Sequence, residues 1–217
     1  MLKLGAEMDD PLGLDDYVIA RPAQFTLSVY YECMDVNGAK VLEARRSTFG
    51  NQFNIFDSQK KHVGAVHHKM LSLTTTFELM DGSKHIIGMA VRKAQFINNF
   101  ENHFTLYDTA GNVLALAGGD YMNFNYLVQS PDGARKIAII TKNLSADFNQ
   151  GILSMLTSAA MGAFRISIED KDFSRLMLIE FTLAIDMLAN MSNAGGGGVE
   201  PTINPGPMAP GGLSFKL

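Results

Sequence analysis

The sequence predicts a mainly β protein in which antiparallel hairpins enclose a hydrophobic C-terminal helix. Between Gln24 and Thr141, short apolar runs are broken every dozen residues or so by turn chemistry, the spacing of an all-β domain. One hairpin unit recurs within that stretch. Beyond it, Phe173 to Met191 is rich in helix formers, free of Gly and Pro, and apolar around most of its circumference.

Composition bounds the problem first. The chain has 217 residues, 47% hydrophobic and 18% charged, enough for one domain with a sizeable core and a surface poorer in charge than usual. Lys+Arg number 18 against 22 Asp+Glu, so the net charge of -4 offers no general field for a nucleic-acid backbone, and no nucleic-acid partner is expected. A single cysteine, Cys33, allows neither an internal disulfide nor a thiolate metal cage and reads as a buried, inert thiol. The expected location is cytoplasmic, with a peripheral membrane association as the variant.

Residues 1–22 carry Glu7, Asp9, Asp10, Asp15 and Asp16 and read as an N-terminal extension, not a signal peptide. The folded domain is expected over 23–192. Residues 193–217, with four consecutive glycines from Gly195 and four prolines from Pro201, read as a flexible tail.

Turn signals follow in order: Asp35-Val-Asn-Gly38, Gly50-Asn51, Asp57-Ser58, Asp81-Gly82, Asp108-Thr-Ala-Gly111 and Pro131-Asp-Gly133. Phe53-Asn-Ile-Phe-Asp57, Phe77-Glu-Leu-Met-Asp81 and Phe104-Thr-Leu-Tyr-Asp108 are three copies of one unit, starting 24 and then 27 residues apart. In each, the first and third residues share a strand face, and the closing aspartate can accept turn amides. These aspartates therefore read as turn caps and not as catalytic groups. A looser relative, Tyr30 to Gly38 followed by Val41, starts the meander. Such strands must hide one face, either by stacking two sheets or by closing into a barrel.

The helix over 173–191 is expected to settle that choice. Asp170 or Asp172 can cap its start, and Asn193 or Gly195 its end. Its 19 residues make a rod of about 28 Å, long enough for a bilayer. Eight Leu, Ile and Phe residues would favour insertion by about 4 kcal/mol, but Glu180 near mid-span, with Arg175 and Asp186 beside it, brings insertion to break-even at best. Arg175, Thr182, Asp186 and Asn190 share one narrow strip and the rest is apolar, so the helix belongs inside the barrel. Glu180 and Asp186 are then buried structural polar groups, and Glu180 is expected to find a donor on the barrel wall.

With Leu183-Ala-Ile-Asp-Met-Leu188 in that helix and Gly162-Ala-Phe164-Arg-Ile166-Ser-Ile168 before it, the chain resembles the phospholipid scramblase and LURP-one-related proteins of the tubby-like superfamily. The resemblance spans about Gln24 to Ser192. It implies a closed barrel of about twelve strands around a central hydrophobic helix, and binding of phosphoinositide or other anionic phospholipid headgroups, or a regulatory role. The acidic calcium segment of scramblases is replaced here by Thr157-Ser-Ala-Ala-Met-Gly162, which has no carboxylate, so calcium is not an expected ligand. The cysteine runs that carry acyl chains are also missing.

The remaining chemistry is sparse. On an unbroken strand His62 and His68 would share a face, about 20 Å apart, too far for one metal. No nucleophile elbow or phosphate loop occurs, and neither enzyme activity nor a cofactor is expected. Basic pairs are the candidate ligands: Lys60, Lys61, Arg92 and Lys93 are expected to converge on an anionic headgroup. The function expected is a non-enzymatic peripheral lipid-binding module or scaffold. A scramblase-like protein that moves lipid between leaflets is the runner-up, and an interaction domain without lipid affinity the third reading.

Overall fold

The computed structural model describes residues 10–21, 30–47, 51–70, 74–92, 101–120, 125–142 and 163–194. Twelve strands form one closed sheet: β1 (Asp16–Ala20), β2 (Tyr30–Met34), β3 (Lys40–Arg46), β4 (Gln52–Asp57), β5 (His62–His68), β6 (Thr76–Asp81), β7 (Ile86–Arg92), β8 (Glu101–Tyr107), β9 (Val113–Asp120), β10 (Asn125–Gln129), β11 (Lys136–Thr141) and β12 (Phe164–Ile168). One helix, α1 (Arg175–Ala194), follows. Each strand pairs antiparallel with its neighbours in sequence, and β1 pairs with β12 to close the barrel, Asp16 opposite Ser167 and Ile19 opposite Phe164. This moves the domain boundary expected at residue 23. Tyr17 and Ile19 are core residues, and the strand they belong to was hidden in the sequence by its length of five and by the acidic residues before it.

The recurring unit is a hairpin of fixed geometry. In four turns an aspartate side chain accepts the amides two and four residues on: Asp35 from Asn37 and Ala39, Asp57 from Gln59 and Lys61, Asp81 from Ser83 and His85, Asp108 from Ala110 and Asn112. The fourth turn residue has positive φ in each case: Gly38 at 84°, Lys60 at 66°, Lys84 at 67° and Gly111 at 85°. Glycine takes that conformation without strain, whereas lysine does not. Past each turn the register slips by one, leaving Val41, Val63, Ile87 and Leu114 as β-bulges. A bulge turns two successive residues inward, and here the first packs on the core while the second is Leu42, Gly64, Gly88 or Ala115.

All these turns lie at one end of the barrel, the hairpin end. Toward the other end, the lip, every even-numbered strand carries a buried aromatic ring within its first four residues: Tyr31, Phe53, Phe77, Phe104, Tyr126 and Phe164, none more than 2% exposed. Edge contacts join Tyr31 to Phe53 and Phe104 to Tyr126, and Phe181 of α1 packs edge-on against the latter two.

The helix enters at the hairpin end and runs toward the lip. Ser174 caps it, its hydroxyl accepting the Met177 amide at 3.3 Å, so the helix starts two residues later than expected and without an aspartate cap. Leu176 to Ala189 are buried on all sides, a length of about 21 Å that matches the height of the wall. The wall comes closest at Gly64 and Gly88. A Cβ at Gly64 would stand 2.7 Å from both Glu180 Oε1 and a Leu176 methyl; at Gly88 it would stand 2.6 Å from the Met177 methyl and from the Tyr107 carbonyl oxygen. Apolar residues thus point into the barrel and onto α1, the reverse of the pattern by which barrels cross a bilayer.

Gly88→Ala meets a backbone oxygen that cannot retreat and is expected to cost about 1 to 3 kcal/mol in urea unfolding. Gly111→Ala meets nothing within 4 Å and is expected to cost about 1 kcal/mol through its φ alone, whereas Lys84→Gly should cost nothing. Equal losses for Gly111→Ala and Lys84→Gly would refute this account of the turns.

Candidate functional site

Of the four cations expected to converge, the three at described positions, Lys60, Lys61 and Arg92, do not. Lys60 and Lys61 sit in the β4–β5 turn at the hairpin end, while Arg92 closes β7 at the lip, about 20 Å away along the strands. Strand direction decides this, because β5 and β7 both run from the hairpin end to the lip. Lys93 lies outside the described residues, as does the segment Thr157 to Gly162.

Lys60 also has work of its own. Its Nζ is 2.9 Å from Glu43, which is 5% exposed and takes Lys40 at 2.7 Å and Arg45 as well. Burial alone would raise the Glu43 pKa, but the hydrogen bonds from Lys40, Lys60 and Arg45 outweigh it and bring it down to about 2. Lys60 is therefore held by a carboxylate, while Lys61 and Lys84 have no acidic partner among the described residues.

The lip carries a wider basic set, of which the basic-pair reading named only Arg92 for the site. Of the six strands that run toward the lip, β9 ends in Asp120 and five end there in a basic residue: Arg21 just after β1, Arg46 on β3, His68 on β5, Arg92 on β7 and Lys142 just after β11. Each stands beside one of the inward aromatics. The Arg21 guanidinium lies 5.3 Å from the Tyr31 ring centroid, and Lys142 Nζ lies 5.4 Å from that of Phe164. Arg46 is opposite Phe53, and Arg92 opposite Phe104. The His68 ring packs on Phe77 at 5.1 Å. The signal was present in the sequence as a spacing: Ile19–Arg21, Ala44–Arg46, Ala90–Arg92 and Ile140–Lys142 each put a cation two residues beyond a core residue on the same face, and Val66–His68 puts there a histidine that burial keeps toward its neutral form. The register needed to see it was not.

Inside the lip, Asp186 of α1 holds a polar cluster. It accepts the Tyr31 hydroxyl and the Asn190 amide, the latter at 2.6 Å, while Arg21 donates to the Tyr31 oxygen at 2.8 Å and stands 3.9 Å from the Asp186 carboxylate. Burial, and then the Asp186 charge, push the Tyr31 pKa upward, so the phenol stays a donor. Glu180 differs. It is 0% exposed and neither oxygen has a hydrogen-bonding partner among the described residues. Burial drives its pKa well above the ordinary range; the backbone of Met80 and of Ala65 offsets this only in part, and the Asp81 charge adds to it. The wall groups nearest to Glu180 are the backbone of Ala65 and Met80, and neither makes a hydrogen bond of ordinary geometry to it.

The histidines do not assemble either. The bulge at Val63 breaks the strand alternation, so His62 packs on Phe56, 5.5 Å between ring centroids, while His68 packs on Phe77. His67 bridges Asn51 and Glu78 at 3.1 Å each. No group of three metal-ligating side chains occurs among the described residues. On the outer wall, an open groove of about 780 Å³ crosses β8 to β11 between His103 and Lys136, floored by Gly118, Leu127 and Ile139. Lys136 there pairs with Glu169 at 3.1 Å. Among the described residues no helix is long and apolar enough to cross a membrane.

No family model matches the sequence, and no curated protein matches it. The chain is similar in fold to a protein of Arabidopsis thaliana known from an X-ray structure, with a TM-score of 0.50 and 10% sequence identity, covering 87% of this chain and 99% of that one. At that identity the likeness concerns the fold alone.

Glu180 gives this site a pH signature. The folded state keeps a proton that the unfolded chain releases near its ordinary pKa of 4.5, so stability is fullest below that value and is lost as the pH rises from there toward the folded pKa. Urea unfolding from pH 4 to 8 is expected to show this decline in the parent chain and not in Glu180→Gln. A decline of the same size in the variant would remove Glu180 as its source.

Proposed function

We propose that this chain is a non-enzymatic module that binds the surface of anionic phospholipid membranes, as a peripheral docking or scaffold protein related to the LURP-one branch of the tubby-like group. One observation carries the reading: cations gather at strand ends around a barrel whose interior is already occupied. With α1 filling the wall from Leu176 to Ala189, the interior offers no space for a carried ligand, and any partner must be met on the outside. Exposed cations within about a Debye length of an anionic bilayer contribute about 1 kcal/mol each. That is enough for reversible attachment and too little for permanent anchoring.

The scramblase-like alternative is less well supported. It needs α1 to leave the barrel, which would expose fourteen buried residues and separate Asp186 from Tyr31. Nothing about the barrel wall lowers that cost.

Co-sedimentation with phosphatidylcholine vesicles, with and without phosphatidylserine, tests the proposal. Binding is expected only with phosphatidylserine present, weakening as salt rises and indifferent to calcium. Absence of binding at every lipid composition would leave the interaction-domain reading in its place.

A further inference from the structure

We infer that the seam between β5 and β6 is a gate at the hairpin end of the barrel, zipped while the Glu180 carboxyl keeps its proton and parting to let water in when the proton leaves. Loss of stability with pH does not by itself say which part of the chain gives way; strand connectivity does. Turns at the hairpin end join β4 to β5 and β6 to β7, whereas β5 and β6 are joined to each other at the lip. At the hairpin end their seam therefore has a free edge.

The last backbone pairs before that edge are Ala65 with Met80 and Gly64 with Asp81. Beyond them a side-chain bond crosses the seam: His62 donates from Nδ1 to the carbonyl of Gly82, in the β6–β7 turn, at 2.8 Å. The two segments touch there, because a Cβ at Gly82 would stand 2.6 Å from the His62 carbonyl oxygen. Parting the seam from this edge breaks those bonds and no turn. Glu180 lies directly behind it. A Cβ at Gly64 would stand 2.7 Å from its Oε1, and the backbone of Ala65 and of Met80 is the nearest wall. With 0% exposure and no hydrogen bond of ordinary geometry, the carboxyl fits as a neutral acid, and its ionised form needs water. The free edge is the short way in.

Among the described residues, no cation on the elements packed against α1 is set against the ionised form. On β5, His62 is engaged by Gly82, His67 by Asn51 and Glu78, and His68 lies at the lip. On β6, Glu78 takes His67 and Lys69, and Asp81 adds negative charge toward Glu180. Arg92 of β7 is at the lip, and Arg165 of β12 pairs with Asp16. On α1 itself Arg175 pairs with Asp15, and Asp186 with Tyr31. The helix is also held on both sides of Glu180. Phe181 packs edge-on against Phe104 and Tyr126, and Asp186 is bonded at the lip. Before the helix, the Ile137 carbonyl accepts the Glu169 and Asp170 amides at 2.9 and 3.1 Å. The helix is thus the fixed part and the seam the moving one.

Native-state hydrogen exchange tests this on the full chain, in the parent and in Glu180→Gln, with Glu180→Leu in reserve should the first variant fail to fold. An opening that frees the proton becomes about tenfold more frequent per pH unit between 4.5 and the folded pKa. Amides bonded across the β5–β6 seam are expected to exchange faster in the parent than in the variant by that factor per unit. Added urea is expected to accelerate this exchange little, because a parted seam exposes little surface. Amides of α1 from Asp186 to Ala189 are expected to exchange through global unfolding, which urea accelerates steeply. A pH response that carries the full urea dependence of unfolding at the seam too means that the whole barrel opens; it overturns the gate and leaves the pH signature of Glu180 standing. Helix amides that open together with the seam at low urea likewise overturn it. Equal exchange in parent and variant at every pH removes gate and signature alike. His62→Leu separates the two titrating groups: it is expected to speed exchange at the seam at every pH and to keep the pH response. A response lost in His62→Leu and kept in Glu180→Gln assigns the switch to the histidine and overturns the proposal.

Discussion

Burial of α1 on every side is the constraint from which the rest of the molecule follows. A helix apolar around most of its perimeter leaves water completely only inside a closed wall, and a wall of short strands can close around it only if it lets the backbone approach. The hairpin unit provides the approach. Each bulge turns two residues inward, and where the second is Gly64 or Gly88 the first turns of the helix reach the sheet with almost no gap. Turn chemistry, strand register and helix packing are therefore one design. The same close fit holds the Glu180 carboxyl against Gly64, fully buried and without a hydrogen bond of ordinary geometry among the described residues.

The two carboxyls of α1 show how position along one helix changes chemistry. Asp186 lies near the lip, where Tyr31, Asn190 and Arg21 can all reach it, and it is held as an acceptor. Glu180 lies six residues earlier, about 9 Å deeper, where the wall is backbone already paired within the sheet. Burial without partners makes the protonated form the one that the site accepts. One side chain anchors the helix in the wall and the other weakens it as the pH rises.

Most of the architecture could be read from residues. Phe53, Phe77 and Phe104 at fixed spacing gave the hairpins, the closing aspartates gave the caps, and the helical perimeter gave the enclosure. What could not be read was anything that depended on strand direction or on a one-residue slip. Lys60, Lys61, Arg92 and Lys93 look like one basic set in the sequence, yet the turn pair and Arg92 belong to opposite rims. His62 and His68 look coplanar until the bulge at Val63 separates them. β1 escaped because five residues between two aspartates and a proline carry too short a pattern, although Tyr17 and Ile19 prove as buried as any core residue. The neighbour of 10% identity shares the fold alone.

The charge polarity of the barrel is itself a consequence of repetition. In an up-and-down meander every copy of the unit runs in the same direction, from an aromatic ring at the lip to an aspartate at the turn. Four copies therefore stack four aspartates on one rim, whatever each contributes to its own turn. The return strands end on the other rim, where the wall meets the negative end of the helix, and basic residues are the ones that position favours. A hairpin selected for local stability and a helix selected for burial thus fix which rim receives the turn aspartates and which receives the basic strand ends.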